Sequence, residues 1–363
     1  MDSRPGGTET RAMTERPTPP DEPRRPSWWI FRGTGRPMPP DERDRRWPPP
    51  PPWRTFDGGP DLPPPPSDGQ EAQRRLGSGA TKQLTTEHLS VINAALHLRR
   101  PLLVTGGPGS GKSTLAYLIA RELGLGRVLR WPITSRTTMR SGLYEYDAIG
   151  RAQAVVESGA GAAADRSVPP IGDFVHLGPL GTALLPRAHP RVLLVDELDK
   201  SDYDLPNDLL TILEDGEFDL PELVRVRNHE PETMVYTADR GDMAPIRDGI
   251  VRVHEFPIIV VTSNGEREFP AAFLRRCVRL DVPEPDTDAL VDLVAAHFPE
   301  GDGQHRRIVE QFVARRQQGM LAADQLLNAA HLLTSGALDG GGQDQADLLA
   351  TIWRRLDPTA NLG

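Results

Sequence analysis

Residues 101–123 read PLLVTGGPGSGKSTLAYLIAREL. The apolar run Leu102, Leu103 and Val104 predicts a buried strand. Leu115, Leu118, Ile119 and Leu123 then recur at helical spacing up to a stop at Gly124. Between them lie Gly106, Gly107, Pro108, Gly109, Ser110, Gly111, Lys112, Ser113 and Thr114, so the order is strand, glycine loop, helix. Glycines let such a loop wrap a phosphate chain, with backbone N–H groups and the positive end of the helix dipole facing the anion. Lys112 is then placed for the β- and γ-phosphates and the Ser113 hydroxyl for Mg²⁺. A chance glycine-rich turn with an exposed lysine would lack this flanking strand and helix, so the stretch predicts a nucleotide phosphate site.

Two later apolar runs complete the expected chemistry. Residues 191–200 read RVLLVDELDK, four apolar residues ending in two carboxylates. A continuous apolar strand belongs inside a parallel sheet, and ligands of such sheets gather at the strands' carboxyl ends. Asp196 there can hold the Mg²⁺ shell and Glu197 can orient and deprotonate an attacking water. Adjacent acids also end strands on ordinary surfaces, but the pairing with Lys112 upstream favours catalysis. Phe256 to Thr262 is another such strand, followed by Ser263, Asn264 and Gly265. Asn264 alone would read as a turn residue; its place in the order makes it a candidate to hold the water or the γ-phosphate. Arg275 and Arg276 follow beside Phe273 and Leu274, either as a solvated helix face or with one of them reaching a neighbouring subunit's γ-phosphate.

The remaining elements are less distinct. Thr85 or Thr86 can cap a helix bearing Leu89, Ile92 and Leu96 on one face, from which apolar side chains can flank a purine. Val128 to Ile133 reads as a strand and Asn207 to Glu214 as a helix, with short strands and loops over Val224 to Val251. Residues 141–185 look like an excursion from a compact core, a candidate for touching a client protein. After Pro283, four amphipathic patterns predict a helical bundle over 285–358 that packs over the nucleotide and hinges.

Composition bounds the rest. Of the 363 residues, 37 are Pro, and about half of these precede Ser67. Residues 1–80 show no helix or strand period and are expected to be disordered. Inside this tail Trp28, Trp29, Trp47 and Trp53 flank a proline run, which predicts a docking peptide laid onto a partner or onto the protein's own body. A net charge of -9 argues against broad contact with nucleic acid or an anionic membrane. One cysteine, Cys277, excludes an internal disulfide and a thiolate metal cage, and no paired histidines suggest a metal site. Without a membrane span or an apolar signal core, the expected location is the cytoplasm.

Over about residues 81–355 the motifs resemble those of AAA+ ATPases, and within them the MoxR-like branch: a Walker A from Gly106 to Ser113, a Walker B with its second acid at Asp196 and Glu197, and a sensor asparagine at Asn264. A finger arginine, with Arg276 preferred to Arg275, and a helical lid complete the set. The stretch from Ile171 to Leu185 looks like the helix-2 insertion of that branch. The resemblance implies an α/β P-loop parallel sheet flanked by helices over 81–284, ATP and Mg²⁺ as ligands, and a ring, commonly a hexamer, with ATP at subunit boundaries. It also implies a von Willebrand factor A domain partner and a chaperone-like remodelling role. One departure stands out: residues 319–324 carry no basic residue where a sensor 2 arginine is usual, and Arg315 and Arg316 lie just before it. An ATP-dependent switch or scaffold with little hydrolysis is therefore a second reading; a nucleic-acid motor or GTP-using restriction subunit is a third, weakened by the acidic body.

Overall fold

The computed structural model describes residues 26–59, 61–67, 69–77, 84–159, 169–298, 302–316, 323–335, 349 and 352–353. Along the chain, an N-terminal strap contributes α1 (Pro40–Arg46) and α2 (Gly69–Leu76). It leads to α3 (Thr86–Leu98), β1 (Leu102–Thr105), α4 (Thr114–Leu123) and β2 (Leu129–Pro132). Next come α5 (Met139–Leu143), β3 (Tyr144–Tyr146), α6 (Ala148–Gly159), β4 (Val175–Leu177) and α7 (Pro179–Ala183). The core resumes with β5 (Val192–Asp196) and α8 (Leu205–Asp215), then β6 (Glu217–Asp219), α9 (Pro221–Val224), β7 (Glu232–Tyr236), β8 (Met243–Arg247) and β9 (Ile250–Arg252). It closes with β10 (Ile258–Ser263), α10 (Ala271–Arg276) and β11 (Val278–Asp281), before α11 (Thr287–His297), α12 (Asp302–Arg316) and α13 (Ala323–Thr334).

Five strands form a parallel sheet in the order β11-β1-β10-β5-β2. Side chains of a strand alternate between faces, and the core divides accordingly. Leu103, Leu193, Val195, Ile259 and Val261 enter one apolar cluster; Leu102, Val104, Val192, Leu194, Ile258 and Val260 enter the other, beneath α3 and α4. With both faces covered, these strands need the unbroken apolar runs that the sequence supplies. α3 begins with Thr85, whose hydroxyl accepts the His88 N–H at 3.2 Å, and α4 ends on Gly124 in the left-handed region.

The first of those clusters is completed by a second sheet, β3-β4-β7-β8-β9-β6. It draws on the excursion after β2 and on the segment between α8 and β10. Arg191 at the start of β5 ties this sheet to the parallel one: its guanidinium donates to both carboxylate oxygens of Asp239 at 2.6 and 3.0 Å, with both side chains fully buried.

The expectation of disorder over residues 1–80 is corrected for the described part of 26–77; residues 1–25 lie outside the described residues. Trp29, Ile30 and Phe31 are buried in the cluster under α3 and α4. Asn93 of α3 accepts the Ile30 and Phe31 N–H groups at 2.8 and 2.9 Å and returns its amide to the Phe31 carbonyl at 2.7 Å. Glu122 accepts the backbone N–H groups of Arg32, Thr34 and Gly35. Further along, Arg99 lies over the Trp47 ring and donates to the Pro48 carbonyl at 2.8 Å; Phe56 stacks on Phe256. Composition misleads here because the strap's apolar residues are few but are spent on a surface that the domain already offers. Of the four tryptophans, Trp29 and Trp47 pack on the protein's own body, whereas Trp28 and Trp53 are exposed.

The C-terminal helices hold a third cluster, including Leu290, Val294, Ile308, Phe312, Leu326 and Trp353. Among the described residues, no helix is long and apolar enough to cross a membrane.

Candidate active site

The glycine loop leaves β1 and enters α4 at the carboxyl end of the parallel sheet. Gly106, Gly109 and Gly111 all have positive φ, and a Cβ on Gly106 would stand 2.3 Å from the Val282 carbonyl. The backbone path therefore requires glycine there. Lys112 is buried and donates to the Gly106 and Gly107 carbonyls, each at 2.8 Å, which folds its ammonium over the loop. Burial holds its pKa below the ordinary lysine value, against the opposing charges of Asp199, Glu197 and Asp196. Thr114 caps the turn with a bond to the Gly111 carbonyl at 2.5 Å. Pro108 and Ser110 lie in the same loop.

The acids of β5 meet this loop. Ser113 donates its hydroxyl hydrogen to Asp196 Oδ1 at 2.7 Å, and Thr262 of β10 donates to the same oxygen at 2.9 Å. Asp196 Oδ2 accepts two bonds from Arg130 of β2, at 3.0 Å from Nε and 2.7 Å from Nη2. Burial raises the Asp196 pKa, but the bonds from Ser113, Arg130 and Thr262 outweigh it and hold the carboxyl below its usual range. A hydroxyl and a carboxylate converging within hydrogen-bond distance form the hard-oxygen corner that suits Mg²⁺. Among the described residues no group of three or more His, Cys, Asp or Glu side chains forms a metal cage.

Glu197 follows with φ 62° and ψ 51°, a left-handed conformation that costs a non-glycine residue about 1–2 kcal/mol. Its N–H donates to Thr262 Oγ1 at 2.8 Å, and its carboxylate takes bonds from Asn264 Nδ2 at 3.3 Å and Lys200 Nζ at 2.7 Å. Asn264 is itself fixed, since buried Asp199 accepts its N–H at 2.9 Å. Lys112, Ser113, Asp196, Glu197 and Asn264 thus meet in one place.

Arg276 does not join them. Its guanidinium pairs with Glu214 at the end of α8 and with the Ala272 carbonyl, and none of its bonds reaches the loop or the acids. Arg316, at the end of α12, does approach the loop: it pairs with Glu284, and the Glu284 carboxylate lies against Gly107. The sequence motifs alone missed Arg130, Thr262, Asp199 and this Arg316–Glu284 pair; only Asp199 carried a signal, as the third acid of VDELD. Beside the loop opens a cavity of about 730 Å³ whose walls include Leu76 of the strap, His88, Leu118, Val282 and Leu293. Its apolar walls suit a nucleobase, so the strap supplies part of this pocket.

Residues 101–277 match the family model described as AAA domain (dynein-related subfamily). Among solved structures the chain is similar to NtrX from Brucella abortus in complex with ADP, at 15% identity and a TM-score of 0.36, covering 81% of this chain and 57% of that one. It is also similar to a RuvB mutant of Thermotoga maritima, at 12% identity and a TM-score of 0.38, covering 79% and 70% respectively. The chain therefore spans little more than half of that NtrX structure. No curated protein matches it.

Proposed function

We propose that this protein is a Mg²⁺-dependent, MoxR-like ATPase that works as a ring and remodels or assembles a partner protein. The observation that carries the reading is the Ser113–Asp196 contact at 2.7 Å beside Lys112, with Glu197 and Asn264 adjoining. When bound, Mg²⁺-ATP supplies the phosphoryl group that passes to water. The loop N–H groups and Lys112 hold the phosphates; Ser113 and Asp196 hold the metal. Glu197 takes the proton from the attacking water, and Asn264 sets the angle of its carboxylate. Arg276, free of its own site, serves the site of a neighbouring subunit in a head-to-tail ring, with six subunits as the family-based expectation. The exposed indoles of Trp28 and Trp53, not the buried Trp29 or the partly buried Trp47, are left for a partner, such as a von Willebrand factor A domain protein. The cytoplasm is the compartment in which we place this activity.

Glu197→Gln keeps the shape and removes the base. It should retain ATP binding and lose turnover by about 10²-fold or more, read as steady-state phosphate release beside fluorescent-nucleotide binding. Turnover equal to wild type would take Glu197 out of the chemistry. The switch reading has one observation of its own, the hold of Lys200 on Glu197, which engages the base in this conformation. Phosphate release that stays at background with and without partner would favour it.

A further inference from the structure

Asp196 has no acceptor to spare. A carboxylate offers about four lone-pair sites, and four donors converge on it: Ser113 and Thr262 on Oδ1, and two guanidinium nitrogens of Arg130 on Oδ2. A metal ion, or a water in its shell, that engages Oδ2 must displace a donor from it. The Oδ1 donors are held firmly, since Thr262 is fully buried in β10 and Ser113 is the first residue before α4. Arg130 is not: it lies on β2, the edge strand of the parallel sheet, and its side chain is 41% exposed.

We infer that Arg130 is a displaceable counterion, a positioning residue that occupies Asp196 Oδ2 in the metal-free protein and competes with Mg²⁺ for that oxygen. This rests on the phosphate-site reading above and adds a residue that no motif marks. The physical need is plain. A carboxylate 7% exposed is costly to leave uncompensated, and the bidentate fork offsets that cost while no divalent ion is bound. Lys112 does not fill the role, because its ammonium is committed to the Gly106 and Gly107 carbonyls. Release of Arg130 by the metal would also free a guanidinium beside Asp196, so metal entry and the arrangement of positive charge are linked.

The test is a Mg²⁺ titration of fluorescent ATP-analogue binding to the full chain, comparing wild type with Arg130→Gln and Arg130→Lys, with thermal melts to establish folding. Removing the fork in Arg130→Gln should lower the half-saturating Mg²⁺ concentration by roughly three- to tenfold. Arg130→Lys, which keeps charge but loses the planar fork, should lower it by less. A half-saturation that is unchanged or raised in Arg130→Gln overturns the proposal. An Arg130→Lys value equal to wild type beside a lowered Arg130→Gln value would support the counterion and overturn only the role given to the planar fork. If wild type binds no nucleotide at any Mg²⁺ concentration, the phosphate-site reading itself falls; if it binds and the variants match it, only the Arg130 assignment falls.

Discussion

Arg276 is held by one half-exposed ion pair with Glu214, a kind of contact that contributes about 0–1 kcal/mol. Its replacement by alanine should therefore leave the thermal melt nearly unchanged. If the guanidinium completes a neighbour's site, turnover should nonetheless fall by about 10³-fold or more. Mixing Arg276→Ala with Lys112→Ala protomers should restore part of the phosphate release, since some interfaces then pair an intact loop with an intact arginine. Undiminished turnover in Arg276→Ala would leave Arg275 or Arg316 to be tested in its place. Cys277, the next residue, takes no part: burial pushes its thiol up to about 12, so it stays protonated and inert at neutral pH.

Among the elements, the strap is the one whose attachment can be measured. Asn93→Ala would leave the Ile30 and Phe31 N–H groups buried without their acceptor, at a cost of about 2–5 kcal/mol. We expect a lower denaturation midpoint and earlier proteolytic cleavage near Arg32 than elsewhere; an unchanged cleavage pattern would mean that the strap is held by other contacts. The aromatic island was legible as an anchor, but its landing surface was not, because Asn93 lies 62 residues beyond Phe31. The parallel strands were legible for the opposite reason: buried on both faces, they read as unbroken apolar runs. The second sheet's strands are short and alternate, as in the Glu232–Tyr236 pattern, so only short strands and an excursion were foreseen. In the site, Ser113, Asp196 and Asn264 followed from motif order. Arg130 did not, since its reach to Asp196 depends on β2 lying beside β5 across 66 residues of chain.

For the whole molecule, the ring reading gives a measurable size. Glu197→Gln with ATP and Mg²⁺ should sediment as a closed oligomer, and the same protein without nucleotide as smaller species. One sedimentation coefficient under both conditions would separate ATP binding from assembly. The Arg316–Glu284 pair belongs to the same scale, because it ties the C-terminal helices to the loop through Glu284, which lies against Gly107. Any shift of those helices must carry that carboxylate along or break the pair.

The course of the strap also bears on how this protein should be produced. A recombinant fragment trimmed to the family match at residues 101–277 would begin after Trp29, Ile30, Phe31 and Asn93, and so would discard side chains that fill the interior under α4. It would also lack Leu76, one wall of the cavity beside the glycine loop. Such a fragment would expose apolar surface and tend to precipitate; a start at or before Pro26 keeps that interior whole.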